Sequence, residues 1–530
     1  THGGDAFDVP QLYRRAVVHG FDERRFRLGR GPTRFGLERK GRTFESYGRI
    51  LHRAPTYPLV GRIHLDLGEQ FVADVGLEGF VDMARLSRLS LHVVSRQSPG
   101  TAFSSMELAV ALKDGVHIAW KKNYPEDEKS ARLLVAADRG GFILTPPVGL
   151  AVGIDEFDFA SLFPAIMVRH NLSLETLNCA CCPESPHVAP GLGYRSCTLR
   201  DGIVPKTLRP ILARRLEYKR RRRSTTGAER ERYTDLARAW KWVLVTSFGY
   251  QGYRNARFGR IECHEAINAY ARAELAQLAE RAAATGWKVL HGIVDSLWMK
   301  APPGADPEAF AREVTESRGL PLAYEGRYRW IVFLPNHGHG FGVPQRYYGY
   351  YEHGEFKVRG IEVRRGDACA FVQRVQQEAL DALAPVEGAA GFLEAIPGVL
   401  ELGRRRAEEL LGGTVPVGDL VLARRASKAL ADYRVFSDGV AALRRLASEG
   451  VERAPGEEVA YVITDGATRD WRRKVVPREL LQGDEAYDGR AYAEILARSF
   501  ETLFLPFGYT LERVLDRWGL GPRRTGYRKG

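Results

Sequence analysis

The sequence predicts an α+β fold of several domains, and three observations support this prediction. Short apolar runs broken by Gly and Pro dominate up to about residue 200, then a long charged segment with helical spacing follows, and strand-like runs continue to about residue 365. From about residue 368 onward, Ala, Leu, Glu and Arg recur at helical spacing, so the C-terminal region is predicted to be largely helical. A chain of 530 residues is long enough for more than one buried core.

The charge balance indicates a polyanionic partner. Lys and Arg total 78 against 65 for Asp and Glu, which gives a net charge of +13, and clustered cations gain free energy by releasing the counterions of phosphates. A membrane surface is the competing interpretation. No apolar run approaches the roughly 20 residues of a spanning helix and no N-terminal signal pattern is present, so we expect a cytoplasmic protein that does not associate with membranes. Whether residues precede Thr1 stays open.

Four of the six cysteines lie close together in the stretch NCACCPESPHVAPGLGYRSC. They are Cys179, Cys181, Cys182 and Cys197. The stretch has no paired CxxC knuckles, so its spacing is a weak signal for zinc. A bound zinc ion, a disulfide and free thiols in a loop away from the chemistry all stay open, and the spacing favours the free thiols.

Two acids stand where one predicted element ends and another begins. Asp295 in HGIVDSLWMK lies between two short apolar runs, which predicts the tip of a hairpin. Asp158 in VGIDEFDFASLFP follows a strand-like run, and Pro164 suits the first turn of the helix that comes next. A turn aspartate and a helix-capping aspartate are the structural alternatives to two catalytic acids.

A basic helical hairpin is predicted between these two acids in the sequence. Arg215 and Lys219 are four residues apart, so they share one helix face, and Lys241 lies on the second helix ahead of Phe248. Three cations on two facing helices have the charge to hold a triphosphate. A solvated basic face is the alternative, but the aromatic and glycine pattern directly after Lys241 favours a more specific role.

Taken together, these segments resemble the family B DNA polymerases. DFASLFP is similar to the first palm motif of that family, KWVLVTSFGYQGYRNARFG to its fingers motif, and HGIVDS to its third palm motif. The order and spacing of these three motifs also agree with the family, and further similarities are DRGGF, QRYYGYY and KVRGIEVRRGD. The resemblance covers essentially the whole chain and extends to a short, divergent lineage in archaea and bacteria.

The resemblance implies a right-hand polymerase with palm, fingers and thumb. We expect a degenerate exonuclease-like region at 1–75 and a region leading to the palm at 76–145. The palm is expected in two parts, at 146–205 and 250–367, with the fingers hairpin at 206–249 between them and the thumb at 368–530.

The resemblance also implies roles for particular residues. Asp158 and Asp295 are expected to be catalytic and to bind two Mg²⁺ ions, which Mn²⁺ can replace, together with the backbone of Phe159. Hard oxygen ligands suit these ions. The implied nucleotide-binding residues are Ser161, Leu162, Phe163, Arg215, Lys219, Lys241 and Phe248, and the implied DNA-binding residues are Arg346, Tyr347, Arg359 and Arg364.

The sequence departs from the family pattern in the third palm motif and in the fingers motif. Ile293 stands where the family has another acid, so we expect the metal site to lack one supporting charge. Val245 and Thr246 replace Asn and Ser in the fingers motif. Glu156, two residues before Asp158 and hence on the same strand face, is a candidate replacement for the missing carboxylate.

The N-terminal segment departs further. GDAFDVPQL resembles the second exonuclease motif of the family and keeps Asp8, but Gly3 stands where the family has Asn. We recognise no first or third exonuclease motif, and a two-metal nuclease cannot hold its ions with one carboxylate. We therefore expect no proofreading.

The predicted function is DNA-templated addition of deoxynucleotides to a primer 3'-hydroxyl. We expect a slow, monomeric enzyme of the nucleoid that acts on primer–template DNA and deoxynucleoside triphosphates, in repair or lesion bypass rather than replication. A catalytically inactive DNA-binding or scaffold protein is the alternative. Use of ribonucleotides is disfavoured because Phe163 replaces the family's tyrosine beneath the sugar with another bulky ring.

Overall fold

The computed structural model describes residues 1–22, 27–30, 41–46, 49–53, 55–57, 59–67, 70–118, 120, 122 and 125–521. Within these ranges, no helix is both long and apolar enough to cross a membrane.

The N-terminal part combines short helices with one antiparallel strand pair. A π-helical turn, Gly4–Asp8, leads into the first helix. The elements of this part are α1 (Val9–Val18), β1 (Arg42–Ser46), β2 (Arg49–Arg53), α2 (Gln70–Ser87), α3 (Leu91–Ser95), α4 (Pro99–Lys113) and α5 (Ala131–Ala137).

The middle of the chain forms a seven-stranded antiparallel sheet interrupted by long helices. Its elements are β3 (Ile143–Leu144), β4 (Gly149–Phe159), α6 (Leu162–Arg169), α7 (Ile203–Ser224), α8 (Gly227–Gly252), α9 (Ile261–Ala284), β5 (Lys288–Ile293), β6 (Ser296–Lys300), α10 (Pro307–Arg318), β7 (Leu322–Pro335), β8 (Gly342–Tyr351) and β9 (Phe356–Arg359). The strand order is β3-β5-β6-β4-β7-β8-β9, which puts β4 at the centre.

Alternation along the central strands distributes their side chains between separate cores. On β7, Trp330 and Val332 pack into the core shared with the C-terminal helices, whereas Ile331 and Phe333 belong to an aromatic cluster with Trp298. Successive strand residues point to opposite faces of a sheet, so one strand contributes to both. A third core joins the other end of β4 to α6, α7 and α9.

Helices α7 and α8 form the basic hairpin, and they are longer than the predicted 206–249. The break between them is confined to Thr225 and Thr226, because the β-region backbone of these two residues cannot continue a helix. Helix α8 also packs against α2. Gly79 of α2 allows the close approach, since an added Cβ there would meet the Asp235 carbonyl oxygen at 2.6 Å.

The C-terminal region contains six helices and a small sheet in its described part. The elements are α11 (Ala370–Leu383), α12 (Gly388–Leu411), β10 (Leu422–Arg425), α13 (Asp438–Ser448), β11 (Glu458–Ile463), α14 (Trp471–Lys474), β12 (Val475–Pro477), α15 (Gly489–Phe504) and α16 (Leu511–Arg517). The three strands pair in the order β10-β11-β12. Each strand is six residues or shorter, too short to stand out from helical periodicity in the sequence.

Candidate active site

The two predicted catalytic acids lie side by side at the ends of paired strands. Asp158, near the end of β4, is directly opposite Ser296 of β6. The Phe159 backbone N–H donates a 2.8 Å hydrogen bond to the Asp295 carbonyl oxygen, which holds the β5–β6 turn against β4. Ser296 Oγ donates to Asp158 Oδ2 at 2.8 Å and also lies 3.5 Å from Asp295 Oδ1. Strand pairing therefore brings together two acids separated by more than a hundred residues.

The turn that carries Asp295 is strained. It contains only Val294 and Asp295 between the two strands, and Val294 has a φ of 56°. A β-branched residue rarely adopts this left-handed conformation, so the surrounding structure must impose it. The Val294 N–H donates to the Phe142 carbonyl oxygen at 2.8 Å, which is one such constraint.

A third carboxylate, Glu325, lines the same cleft. On β7, Gly326 pairs with Glu156 and Tyr324 pairs with Phe157, so Glu325 is the extra residue of a β-bulge. A bulge redirects side chains relative to the regular strand alternation. The sequence prediction missed Glu325; the one local signal was the Gly that follows it, since Gly within a strand often marks a bulge.

Burial is the largest cause that raises the pKa values of the paired acids. Burial, followed by repulsion from Asp295, raises the pKa of Asp158 to about 7, although the Ser296 hydrogen bond opposes the shift. Burial also raises the pKa of Asp295, against the opposing effects of its own backbone N–H, Ser296, Lys357 and Lys241. Partly desolvated carboxylates that repel one another form a site that favours a bound cation.

Cations face these acids across a cleft of about 650 Å³. Arg215 and Lys219 come from α7 and Lys241 from α8, so the structure brings together the three predicted cations. An Arg215 guanidinium N–H donates to Ser161 Oγ. Burial lowers the pKa of Lys219, and the neighbouring Arg215 charge lowers it further. Arg222, Arg238 and Lys357 also line the cleft and were not predicted.

The start of α6 and two aromatic rings form another wall of the cleft. Ser161, Leu162 and Phe163 line it, and Ser161 precedes the helix with a φ of 60°. The first N–H groups of a helix have no partner within that helix, so they are available to an anion. Phe163 stacks on Phe248 with ring centroids 4.1 Å apart.

Three of the four predicted DNA-binding residues are accessible. Arg359 and Arg364 are exposed and Arg346 is half-buried, and Arg359 also lines the cleft. Tyr347 is different because its side chain is only 3% exposed and packs edge-on against Trp298. The ring of Tyr347 is therefore not on the surface of this structure, and its predicted role in DNA binding stays a prediction without an accessible side chain to support it.

The structure argues against the hypothesis that Glu156 replaces the missing acid. Glu156 is 0% exposed and does not line the cleft. The Tyr328 hydroxyl donates to Glu156 Oε2 at 2.5 Å, and the Tyr351 hydroxyl and the Lys357 ammonium group donate to the same carboxylate. The register between β4 and β6 is regular, with Glu156 opposite Trp298 and Asp158 opposite Ser296, so the two acids differ in the side chains around them.

Two of the three residues that depart from the third palm motif and the fingers motif have ordinary structural contacts. Ile293 packs against the aromatic cluster and is not among the residues that line the cleft. Thr246 Oγ1 donates within its own helix, to the Trp242 carbonyl oxygen at 2.6 Å. Val245 is exposed and lines the cleft with an apolar surface.

Asp8 lies at the N-terminus of α1 and is half-buried. The neighbouring acid Asp5 is 4% exposed and is held by Arg96, whose Nε donates to Oδ2 at 2.6 Å. The Asp5 carboxylate is therefore held in a buried ion pair with Arg96.

Comparison with known proteins identifies the family. The model of DNA polymerase family B matches residues 114–303 and 344–506, which is more than half of the chain. The DNA polymerase of Thermococcus sp. (strain 9oN-7) is 28% identical to this chain, over 97% of this chain and 70% of that protein. DNA polymerase 2 of Saccharolobus solfataricus is 35% identical over 49% of this chain and 38% of its own length.

The fold agrees with this assignment. The structure of the family B DNA polymerase from the hyperthermophilic archaeon Pyrobaculum calidifontis matches with a TM-score of 0.64 and 21% sequence identity. The match covers 94% of this chain and 69% of that chain. The chain therefore belongs to DNA polymerase family B and has the mixed helix and sheet architecture of a right-hand polymerase.

Proposed function

We propose that this protein adds deoxynucleotides to a primer 3'-hydroxyl under the direction of a DNA template, with Asp158 and Asp295 as its catalytic acids. One observation carries the proposal: these carboxylates, with Glu325 beside them, are crowded into one cleft opposite Arg215, Lys219 and Lys241. A protein that only binds DNA gains nothing from acids that repel one another beside its phosphate-binding cations.

The donor set fits magnesium. Carboxylate oxygens are hard ligands, which Mg²⁺ prefers, and crowding gives this cluster a reason to bind a divalent cation. Asp158 and Asp295 would hold the ions, with the Phe159 backbone and Glu325 as further oxygen donors. When bound, two such ions activate the primer hydroxyl and neutralise the pyrophosphate that leaves.

The other cleft residues have clear tasks toward the nucleotide. Arg215, Lys219 and Lys241 neutralise the triphosphate, and the first N–H groups of α6 bind its oxygens. We assign to Phe163, whose ring lines the cleft and stacks on Phe248, the exclusion of a ribose 2'-hydroxyl and hence the selection of deoxynucleotides. Phe248 packs beside it and supports the base pair that is being formed.

Template and primer bind along the basic surface next to this cleft. Arg346, Arg359 and Arg364 lie on or just after the β8–β9 hairpin, and contacts from such cations to the DNA backbone fix register without reading sequence. DNA affinity should then depend on these residues and hardly on the catalytic acids.

We further propose that this chain does not remove mismatched 3' ends. Asp8 is its single recognisable exonuclease-like acid, and Asp5 is committed to Arg96. The test is degradation of a 3'-mismatched primer in Mg²⁺. Removal of the mismatch by the wild-type chain, lost in Asp8→Ala, would contradict this proposal.

A slow polymerase without proofreading suits gap repair or lesion bypass, and we propose that role in the cytoplasm, at the nucleoid. The test of the function as a whole is primer extension in Mg²⁺ and in Mn²⁺. We expect template-directed extension that disappears in Asp158→Ala. A folded protein that binds primer–template but extends it with neither ion would instead be a scaffold.

A further inference from the structure

The loop between α6 and α7 gathers four thiols that the polymerase site does not use. Cys181 Sγ lies 3.3 Å from Cys179 Sγ and 3.6 Å from Cys197 Sγ, and Cys182 Sγ lies 3.6 Å from Cys197 Sγ. All four sulfur atoms lie within 4.8 Å of one another. None of these residues lines the cleft.

We propose that these four cysteines bind one structural zinc ion. A tetrahedral site with Zn–S distances of about 2.3 Å requires sulfur atoms separated by roughly 3.8 Å, and the separations here are close to that value. Four thiolates complete the coordination shell, so no position is left for water or substrate. Soft sulfur ligands select zinc over the hard cations that suit the polymerase site.

The surrounding backbone holds the thiols in place. The Cys197 N–H donates to the Thr176 carbonyl oxygen at 2.9 Å, and the Cys182 N–H donates to the Cys179 carbonyl oxygen at 3.3 Å. Thr198 Oγ1 donates to Cys182 Sγ at 3.6 Å, the kind of second interaction that orients a metal ligand. Adjacent Cys181 and Cys182 can therefore serve one ion although the sequence has no CxxC spacing.

The same loop caps the helix that carries Arg215 and Lys219. Gly202, the residue before α7, has no side chain with which to cap it. Instead Asn171 Oδ1 accepts from the Gly202 N–H at 2.8 Å, and Glu175 Oε1 accepts from the Ile203 N–H at 2.6 Å. Asn171 Nδ2 also donates to the carbonyl oxygen of Cys197 at 2.8 Å. Zinc bound by the loop would therefore fix the start of the cationic helix, and we assign it that role.

The first test is metal analysis of the full chain, purified under reducing conditions from zinc-supplemented medium. We expect about one zinc per chain in the wild type. The double variant Cys179→Ser/Cys181→Ser changes the two more accessible ligands, and its zinc should fall below about a tenth of an equivalent. Cys369→Ser is the matched control, because this cysteine lies at the N-terminus of α11 and a serine can cap the helix there. It should keep its zinc.

Two further measurements distinguish a structural zinc ion from adventitious metal binding. Cobalt substituted for zinc should show the charge-transfer absorption of a tetrahedral tetrathiolate site, and the double variant should lose it. Amide hydrogen exchange at 202–204 should become several-fold faster in the double variant and stay unchanged in the control.

Three results would overturn the proposal. The first is a reduced wild-type protein that binds neither zinc nor cobalt, and the second is a native disulfide within the cluster, seen as a loss of two hydrogen atoms in the intact mass. The third is zinc that persists in the double variant. Unchanged hydrogen exchange at 202–204 after loss of zinc would overturn the assigned role in fixing α7.

Discussion

Asp158 and Glu156 lie two residues apart on the central strand, yet the surroundings of their carboxylates are opposite in character. Glu156 is fully buried and receives hydrogen bonds from two tyrosine hydroxyls and from Lys357. Within the described part of the chain, the side chain of Asp158 accepts a hydrogen bond from Ser296 alone, and it faces the charges of Asp295 and Glu325. The environment of Glu156 supplies its carboxylate with hydrogen-bond donors and a cation. The environment of Asp158 places other negative charges beside its carboxylate.

The two environments indicate a structural role for Glu156 and a functional role for Asp158, although both lie on the same strand. Buried charge is tolerated when it is paired and hydrogen-bonded, and the network around Glu156 meets that condition. Folding alone gives no reason to keep Asp158, Asp295 and Glu325 together in one cleft, where burial raises the pKa values of the two aspartates. Repulsion between neighbouring acids is expected at a functional site, where a bound ligand supplies the opposite charge.

The largest effect should follow removal of either cleft acid. Asp158→Ala or Asp295→Ala is expected to reduce single-nucleotide incorporation by about 10³-fold or more, because two metal ions cannot be held by the remaining oxygens. The dissociation constant for primer–template should change little, since phosphate contacts come from basic residues. Primer extension and DNA titration on the same samples measure both quantities. An Asp295→Ala protein that extends primers at the wild-type rate would remove Asp295 from the site.

The buried acid should instead affect stability. Glu156→Ala leaves Lys357 without its partner and two tyrosine hydroxyls without an acceptor, so we expect a loss of about 3–5 kcal/mol in the free energy of unfolding. Glu355→Ala is the control: its side chain is 80% exposed, and the expected change is within about 0.5 kcal/mol. Urea unfolding measures both variants. Normal stability of Glu156→Ala with a raised Mg²⁺ requirement would return Glu156 to the list of metal ligands.

A smaller effect is expected on the Mg²⁺ requirement, and substitutions at Glu325 and Ile293 should change it differently. Glu325→Gln should raise the Mg²⁺ concentration for half-maximal incorporation about tenfold, which corresponds to about 1.4 kcal/mol of lost cation binding. The resemblance implies that Ile293 deprives the metal site of a supporting charge, and on that basis an acid at 293 would lower the requirement. In the structure Ile293 packs on an apolar cluster, so Ile293→Asp should destabilise the fold by about 1–3 kcal/mol without lowering the requirement.

Metal titration of incorporation, with thermal melting alongside, checks both variants. Glu308→Gln, which changes an exposed acid on α10, serves as the control. A well-folded Ile293→Asp enzyme that needs less Mg²⁺ than wild type would show that the missing family acid, and not Glu325, limits metal binding.

Local patterns were sufficient to predict part of this site. A strand that ends before a proline-started helix gave the position of Asp158, and apolar runs on either side gave the turn at Asp295. The basic hairpin followed from helical spacing. These features depend on a few neighbouring residues, and for that reason a single sequence reveals them.

The features of the site that the sequence could not predict depend on contacts between residues far apart in the chain. Glu325 reaches the cleft through a bulge whose register depends on pairing between β4 and β7. The environment of Glu156 depends on Tyr328, Tyr351 and Lys357, which lie 172 to 201 residues away in the chain. The burial of Tyr347 depends on Trp298 in another strand, and the cysteine cluster depends on a loop fold that no simple spacing encodes.

The most direct test of the account is the pH dependence of single-turnover incorporation at limiting and at saturating Mg²⁺. With the pKa of Asp158 raised to about 7, its carboxyl is protonated below that pH and must lose the proton to bind a cation. We expect the rate at limiting Mg²⁺ to rise with pH through about 7, and the apparent pKa to move lower at saturating Mg²⁺, because cation and proton compete for the same oxygens. The same apparent pKa at both metal concentrations would contradict the claim that Asp158 holds a divalent cation.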